Sequence, residues 1–291
     1  MRVAKPKSRL WRVPVMLVAG GFAAVSRAEG VLDPQGPIAA ADREILFNAT
    51  VIMLVVVIPV ILLTLAFAWW YRASNTRAAY TPDWAHSGRI EFVVWSIPAM
   101  VVLLLAAVAW TGSHDLDPAR ALASKVKPLR IEVVALDWKW LFIYPDLRVA
   151  TLNQLTVPTG VPLQFELTSA NVMNAFWVPQ LGSQISTMPG MTTHLNLLAE
   201  HSGDFPGLSA NFSGEGFSDM RFVVHAVPAA AFSSWLAVTQ AQGAALDAGA
   251  YSQLARSGAD VSIRDYGRVE RGLFERIQHD TSGTPAHSME Q

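Results

Sequence analysis

The chain of 291 residues contains no cysteine. This absence excludes disulfide bonds, thiolate metal ligands, thiol nucleophiles and cysteine-linked lipid anchors. It does not identify the compartment, because an oxidising environment permits disulfides without requiring them.

Charged residues are also scarce: they make up 15% of the chain, against 52% hydrophobic residues. This balance is more apolar than that of an ordinary soluble protein and indicates a membrane protein. The formal net charge is −1 and the cations are scattered, so the chain lacks the basic patch that a nucleic-acid partner requires. We therefore expect no nucleic-acid partner.

Recognisable catalytic and metal-binding patterns are missing as well. The seven histidines show no pair at the i, i+3 or i, i+4 spacing of a helical metal site. No nucleophile elbow, phosphate-binding loop or Ser/His/Asp arrangement stands out in the sequence. We therefore predict no catalytic residue and no metal ligand in this chain.

Two long apolar runs are present. The first, ATVIMLVVVIPVILLTLAFAWW, occupies residues 49–70, and the second, FVVWSIPAMVVLLLAAVAWTG, occupies residues 92–112. As a helix, each is long enough to cross a hydrocarbon core of about 30 Å. Pro59 and Pro98 lie inside the runs and predict kinks with close packing partners. The sequence predicts a transmembrane hairpin within residues 29–115.

The connection between the runs, residues 71–91, is rich in positive charge. It carries Arg72, Arg77 and Arg89 against the single acid Asp83 before the second helix is expected to begin. Short loops with an excess of cations remain in the cytoplasm. We therefore expect the segment that follows the second run to be exported.

The first residues have the three parts of a secretory signal. Cations up to Arg12 precede an apolar run, and Ser26-Arg27-Ala28 forms a small-x-small cleavage site. We predict a signal peptide over residues 1–28 with cleavage after Ala28. A retained membrane anchor is the alternative.

Short alternating apolar segments follow the hairpin. RIEVVAL, VPLQFELT and MRFVVHAV are examples, and Pro, Gly, Asn and Ser clusters separate them. This pattern predicts a β-sandwich or barrel over residues 127–227. From residue 228 to residue 291 the pattern is helical at first, as in AAAFSSWLAVTQAQ, and then polar, which predicts a helical region with a disordered tail.

An aromatic run, DWKWLFIY, lies near the start of this region. On a strand, the period of two places Trp138, Trp140 and Phe142 on one face. A face packed against the core or a membrane partner is the simplest interpretation. An electron-transfer or docking surface is the alternative.

Glu91 lies at the cytoplasmic edge of the second apolar run. A carboxylate there has a use if it faces a protein partner, because one facing lipid is costly. An acid in the first turn of a helix, favoured by the helix dipole, is the alternative interpretation.

Several segments together resemble a known family. The two proline-containing runs, DWKWLFIYP, SANVMNAFWVPQLGSQISTMPGM and SANFSGEGFSDM occur in the order found in subunit II of the haem-copper terminal oxidases, most closely in the cytochrome bo-type ubiquinol oxidase branch. The resemblance extends from about residue 40 to about residue 275. It implies a membrane α+β fold, in which a two-helix transmembrane hairpin is followed by an exported cupredoxin-like sandwich or barrel and a short helical C-terminal region.

The resemblance also identifies the remains of a metal site. In the cytochrome c oxidase branch, a histidine and a loop of pattern Cys-x-Glu-x-Cys-x3-His-x2-Met hold two copper ions, and the bridging thiolates supply soft sulfur. The corresponding positions in this chain are Asn174, Ser213, Glu215, Phe217, Arg221 and Val224. A hydroxyl, a phenyl ring and a guanidinium cannot replace those ligands. The resemblance therefore implies a vestigial copper loop, and electrons that do not enter through this domain.

The implied enzyme takes electrons from ubiquinol, reduces oxygen to water and moves protons across the membrane. In the family, haem and copper belong to subunit I, so no cofactor is expected in this chain. The implied partners are subunit I, smaller membrane subunits, the lipid bilayer and, through subunit I, ubiquinol. The implied location is the bacterial inner membrane, with a multi-pass chain and a periplasmic C-terminal domain.

Glu91 precedes Pro98 at the spacing of a glutamate that the family associates with the mouth of a proton channel. The resemblance thus makes Glu91 a candidate for proton entry. Two other functions remain open from the sequence. One is a copper-bearing cytochrome c oxidase subunit II, and the other is a membrane-tethered cupredoxin-like binding or assembly module.

Overall fold

The structure is a computed structural model that describes residues 30–79, 81–256, 258 and 262–282. The predicted signal peptide over residues 1–28 and the tail from residue 283 lie outside the described residues.

Two long helices open the described chain. Helix α1 spans Pro37–Trp70 and helix α2 spans Gly88–Asp115. Both are long and apolar enough to cross a membrane, and most of their large apolar side chains are exposed, which fits helices that need lipid or other helices around them. Each helix starts before its apolar run because polar residues continue it outward, and Pro37 suits the first turn of α1.

Ten strands precede the C-terminal region. Their bounds are β1 Leu129–Leu136, β2 Lys139–Tyr144, β3 Val149–Leu152, β4 Gln154–Pro158, β5 Leu163–Ser169, β6 Asn174–Trp177, β7 Ile185–Thr187, β8 Thr193–Leu197, β9 Gly203–Ser209 and β10 Arg221–Val227. A short 3-10 turn, Phe217–Asp219, precedes β10.

The described part of the C-terminal region adds three helices and two strands. These are α3 Ala229–Gln242, β11 Ala244–Leu246, α4 Ala248–Leu254, β12 Arg264–Val269 and α5 Leu273–Ser282. The prediction that this region is helical is therefore incomplete. Strand β12 pairs with β3, and β11 pairs with β12. Strand β12 was not predicted, because its sequence, RDYGRV, is mostly polar and has no clear alternation of apolar residues.

The strands form two sheets. The seven-stranded sheet has the order β11-β12-β3-β2-β1-β5-β8, and the five-stranded sheet has the order β4-β10-β9-β6-β7. Strand β1 is parallel to β5 and antiparallel to β2. The predicted cupredoxin-like sandwich is confirmed, but its seven-stranded sheet continues beyond residue 227.

The main core lies between the two sheets. Alternate residues of β2, which are Trp140, Phe142 and Tyr144, point into it and are fully buried. Phe176 and Phe222 of the other sheet stack with ring centroids 5.0 Å apart. Trp140 meets Phe176 edge to face at 5.4 Å. These aromatic contacts fix the two sheets against each other.

A second core covers the opposite face of the seven-stranded sheet. Val134, Leu141 and Ile143 point to this side. Leu254 of α4 and three residues of α5 pack over them, and Tyr266 of β12 joins this core from within the sheet. The C-terminal region thus extends the sheet with its strands and covers one face of it with α4 and α5.

The start of α1 is fixed to the sandwich. The amide of Gln35 donates to the carbonyl of Gln180 at 2.8 Å, and Ser183 Oγ donates to Asp42 at 2.8 Å. Gly36 lies directly against the carbonyl of Leu198. After α2, Asn196 Nδ2 donates to the carbonyl of Pro118 at 3.1 Å. The helical hairpin and the β-sandwich are therefore joined by contacts as well as by the chain.

Candidate functional site

The loop between β9 and β10, residues 210–220, is the candidate site that the sequence indicates. It leaves β9 beside β6, where Phe176 pairs with Ser209. Asn174, at the start of β6, is 1% exposed. Its Oδ1 accepts from Ser209 Oγ at 3.1 Å, and its Nδ2 donates to the carbonyl of Val172 at 3.1 Å. Both polar atoms of the Asn174 side chain are therefore hydrogen-bonded at the base of the loop.

Three of the predicted positions lie within the loop itself. Ser213 is partly buried, and its carbonyl accepts from Trp138 Nε1 at 3.2 Å. Glu215 is exposed. Phe217 packs edge to face against Phe212 with ring centroids 5.6 Å apart. The contacts of Ser213 and Phe217 therefore contribute to packing and hydrogen bonding that hold the loop in place.

The last two positions belong to β10. Arg221 is exposed, and its Nε donates to the carbonyl of Ser218 at 3.2 Å. Val224 is 1% exposed and lies in the core between the sheets. Neither side chain carries a soft donor atom.

The two other donor-bearing residues of this stretch are used elsewhere. Met220 is buried in the core at 1% exposure. The Nδ1 of His225 lies 2.6 Å from Asp204 on the neighbouring strand. Among the described residues, no group of three or more His, Cys, Asp or Glu side chains is arranged to hold a metal ion.

The donor set does not fit a dinuclear copper centre. An amide, a hydroxyl, a carboxylate, a phenyl ring, a guanidinium and an isopropyl group stand at the six corresponding positions. Copper sites of this kind need thiolates to share charge between the two ions, and imidazoles beside them. These six side chains therefore provide no basis for a copper-dependent step at the loop.

Trp138 supports the loop from the side. The prediction that Trp138, Trp140 and Phe142 share one strand face is wrong in placing Trp138 on the strand, although Trp138 packs, partly buried, against the same core as Trp140 and Phe142. Leu136 pairs with Lys139, so Asp137 and Trp138 form the two-residue turn between β1 and β2. Trp138, the second residue of this turn, has a φ of 60°, in the left-handed region that the second central residue of a type II turn adopts. The period-two argument failed here because strand β2 begins at Lys139, one residue after Trp138.

Glu91 lies in the first turn of α2. Its Oε1 is 2.5 Å from Nδ1 of His86, and the two side chains are 51% and 70% exposed. Sequence reasoning missed His86. Its position just ahead of the helix start was the available signal, because a residue there can fold back to an acid in the first turn. The structure thus brings a carboxylate and an imidazole together at this edge of the hairpin.

The chain is similar to proteins of known families. The family model "Cytochrome C oxidase subunit II, periplasmic domain" matches residues 145–227. The cytochrome bo(3) ubiquinol oxidase subunit 2 of Pseudomonas aeruginosa is 48% identical over 247 residues, which cover 85% of this chain and 75% of the relative. The ubiquinol oxidase subunit 2 of Acetobacter aceti is 47% identical over 85% of this chain and 81% of the relative. The quinol oxidase subunit 2 of Bacillus cereus is 34% identical over 78% of this chain and 79% of the relative.

Proposed function

The chain belongs to the ubiquinol oxidase subunit 2 family, and we propose that it is the second subunit of a proton-translocating terminal oxidase that passes electrons from ubiquinol to oxygen. One observation carries the choice of electron donor. The sandwich keeps the outline of a copper domain, while its loop has no thiolate or imidazole at the ligand positions. A cytochrome c oxidase subunit is not favoured, because it would need those ligands to receive electrons.

Electrons then enter the enzyme through its large membrane subunit. In this proposal that subunit holds haem, copper and the quinol site, and the present chain holds none of them. Ubiquinol is apolar and stays in the bilayer, so it needs no docking site on an exported domain.

The present chain has a structural and docking role. Phe92, Trp95 and Leu103 of α2 are 73%, 76% and 72% exposed, and apolar surface of this extent needs lipid or another helix. We place both helices in the bacterial inner membrane and the sandwich in the periplasm. The contacts of Gln35 and Asp42 with the sandwich hold the domain in a fixed position above the hairpin.

Glu91 and His86 supply the second proposed role. The loop that carries them has an excess of cations, which favours the cytoplasmic side. An exposed carboxylate beside an imidazole can accept a proton from water and hand it on. We propose that Glu91 collects protons for the large subunit and that His86 orients its carboxylate.

Purification of the tagged full-length chain from membranes tests the main proposal. The expected result is co-purification with a multi-span chain that shows a haem spectrum, together with ubiquinol oxidase activity. A protein that migrates alone would support the membrane-tethered binding or assembly module instead.

Metal analysis separates the remaining alternative. After the subunits are dissociated, the present chain is expected to carry no stoichiometric copper. Two copper ions per chain would support the cytochrome c oxidase alternative. Activity with reduced cytochrome c, measured beside activity with ubiquinol, provides the matching functional control.

A further inference from the structure

Glu132 is a buried carboxylate in the middle of the seven-stranded sheet. It lies on β1 and is 4% exposed. Arg130 Nη2 donates to Glu132 at 3.1 Å and to Glu166, on the parallel neighbour β5, at 2.9 Å. One guanidinium therefore serves two carboxylates.

Helix α5 covers the sheet next to Glu132. Its Leu273, Phe274 and Ile277 are each 2–3% exposed and pack in the second core with Val134 and Ile143. A cavity of about 130 Å³ remains where the start of α5 meets β1. Glu132 and Glu275 line this cavity, as do Arg130, Arg148, Arg271 and Glu270.

The charged groups around Glu132 come from several elements. Arg130 attracts it, whereas Glu275 of α5, Glu166 of β5 and Asp146 of the β2–β3 turn repel it. Arg148 and Arg271 also line the cavity.

Two of the neighbouring acids form ion pairs with other residues. Asp146 lies 3.9 Å from Lys127, and Glu270 forms two bonds with Arg276, at 2.7 and 3.1 Å. Burial is the largest influence on Glu132 and outweighs the attraction of Arg130, so that the pKa of this carboxyl rises from 4.5 to about 7.

We propose that Glu132 makes the docking of α5 depend on protonation: the helix packs on the sheet while Glu132 is protonated and loosens as Glu132 ionises. The geometry supports this role because Glu132 is only 4% exposed, so that its ionised form is poorly hydrated in the docked state, whereas the same group gains water once the helix moves away. Three buried apolar side chains of α5 and the Glu270–Arg276 ion pair at the surface contribute to the anchoring of this helix. In one respect the inference rests on the proposed function, since the oxidase would acidify the side of the membrane on which this domain lies.

The raised pKa of Glu132 determines how the docking of α5 changes with pH. A buried acid whose pKa exceeds its unfolded value binds its proton more tightly in the docked state. Docking is therefore strongest below pH 4.5, weakens as the pH rises toward about 7, and changes little above that. A lower pH on the exported side therefore favours docking of α5 on the sheet, and a higher pH favours its release.

Hydrogen exchange of the full-length chain in the purified oxidase tests the proposal. Exchange rates of the amides in Leu273–Ser282 are measured from pH 5 to pH 8.5 and corrected for intrinsic exchange. Protection is expected to fall at least about tenfold across this range, because each pKa unit is worth a factor of about ten in the equilibrium. In Glu132→Gln the protection should be independent of pH.

Two further variants keep the test decisive. Glu166→Gln is the matched control, because it removes the other carboxylate on Arg130 but leaves Glu132 buried, and its pH dependence should persist. Glu275→Gln removes a repelling charge and should move the midpoint to lower pH. Equal pH dependence in the wild type and Glu132→Gln would overturn the inference, as would a wild type that shows none. The exchange can be read whether or not ubiquinol is oxidised, so failure here is distinct from failure of the proposed function.

Discussion

The indole of Trp138 lies against Gly216, so closely that a Cβ atom on Gly216 would stand 2.5 Å from Cδ2 of the ring. The same indole donates to the carbonyl of Ser213 at 3.2 Å. The β1–β2 turn therefore holds the loop between β9 and β10 in place through a ring and a hydrogen bond. This support keeps the outline of the loop without any metal ligand.

Replacing Gly216 with alanine should destabilise the β-sandwich by about 1–3 kcal/mol, because the new methyl group overlaps the indole of Trp138. Urea unfolding of the full-length chain in detergent, followed by tryptophan fluorescence, measures the change. Gly249→Ala is the control: its Cβ would meet only Asp247 Oδ1 at 3.4 Å, inside α4, so it should be neutral or slightly stabilising. Equal stability of the two variants would contradict the packing assigned to Trp138.

Tyr144 makes a reciprocal pair of hydrogen bonds with the backbone of Thr156. Its hydroxyl donates to the carbonyl at 2.8 Å and accepts from the amide at 3.0 Å. Burial raises the pKa of the Tyr144 phenol, which therefore stays protonated and able to donate at neutral pH. Tyr144→Phe should cost about 1–3 kcal/mol of unfolding free energy, because two buried backbone groups of β4 lose their partner. Tyr71→Phe, at the exposed end of α1, serves as the control in the same unfolding measurement and should change little.

Gly36→Ala should detach the start of α1 from the sandwich. A Cβ atom there would lie 2.2 Å from the carbonyl oxygen of Leu198, and backbone cannot yield as a flexible side chain can. We expect hydrogen exchange in the first turns of α1 to rise, with a cost of about 1–3 kcal/mol. Gly30→Ala, where nothing lies within 4 Å of the added atom, is the matched control. Unchanged exchange in Gly36→Ala would show that the docking of α1 tolerates a shift of the chain.

Glu91→Ala should lower ubiquinol turnover and proton uptake together, by roughly tenfold, because a positioned proton acceptor is lost from the cytoplasmic edge. His86→Ala should give a smaller loss, since it removes the partner at 2.5 Å but leaves the carboxylate. Stopped-flow proton uptake in the purified oxidase provides the measurement. Glu44→Ala, an exposed acid in the first half of α1, at the opposite end of the helical hairpin, is the control. Normal turnover and proton uptake in Glu91→Ala would remove the proposed role.

Much of the architecture could be predicted from local patterns. Continuous apolar runs around Pro59 and Pro98 identified both long helices, and short alternating segments identified the sandwich. These predictions succeed because the period of the apolar residues reflects the environment of each segment directly. The C-terminal strand β12 escaped prediction because its pairing with β3, rather than its own composition, makes it a strand.

Part of the candidate site could also be predicted from the sequence, and part could not. The identities at Ser213, Phe217, Arg221 and Val224 excluded copper from the sequence alone, since no fold can give a phenyl ring or a guanidinium the chemistry of a thiolate. The position of Trp138 could not be read in this way. It depends on the register that pairs Leu136 with Lys139, and a shift of one residue would change its surroundings completely.

The sequence by itself determined the two helices, the sandwich and the absence of copper donors, because these depend on composition, local period and the chemistry of single side chains. Only the tertiary structure decided that His86 meets Glu91, that Trp138 supports the loop and that Glu132 lies buried beneath α5. The reason is physical: burial and electrostatic environment arise from segments that meet in space, and the pKa of the Glu132 carboxyl is raised because the fold buries it.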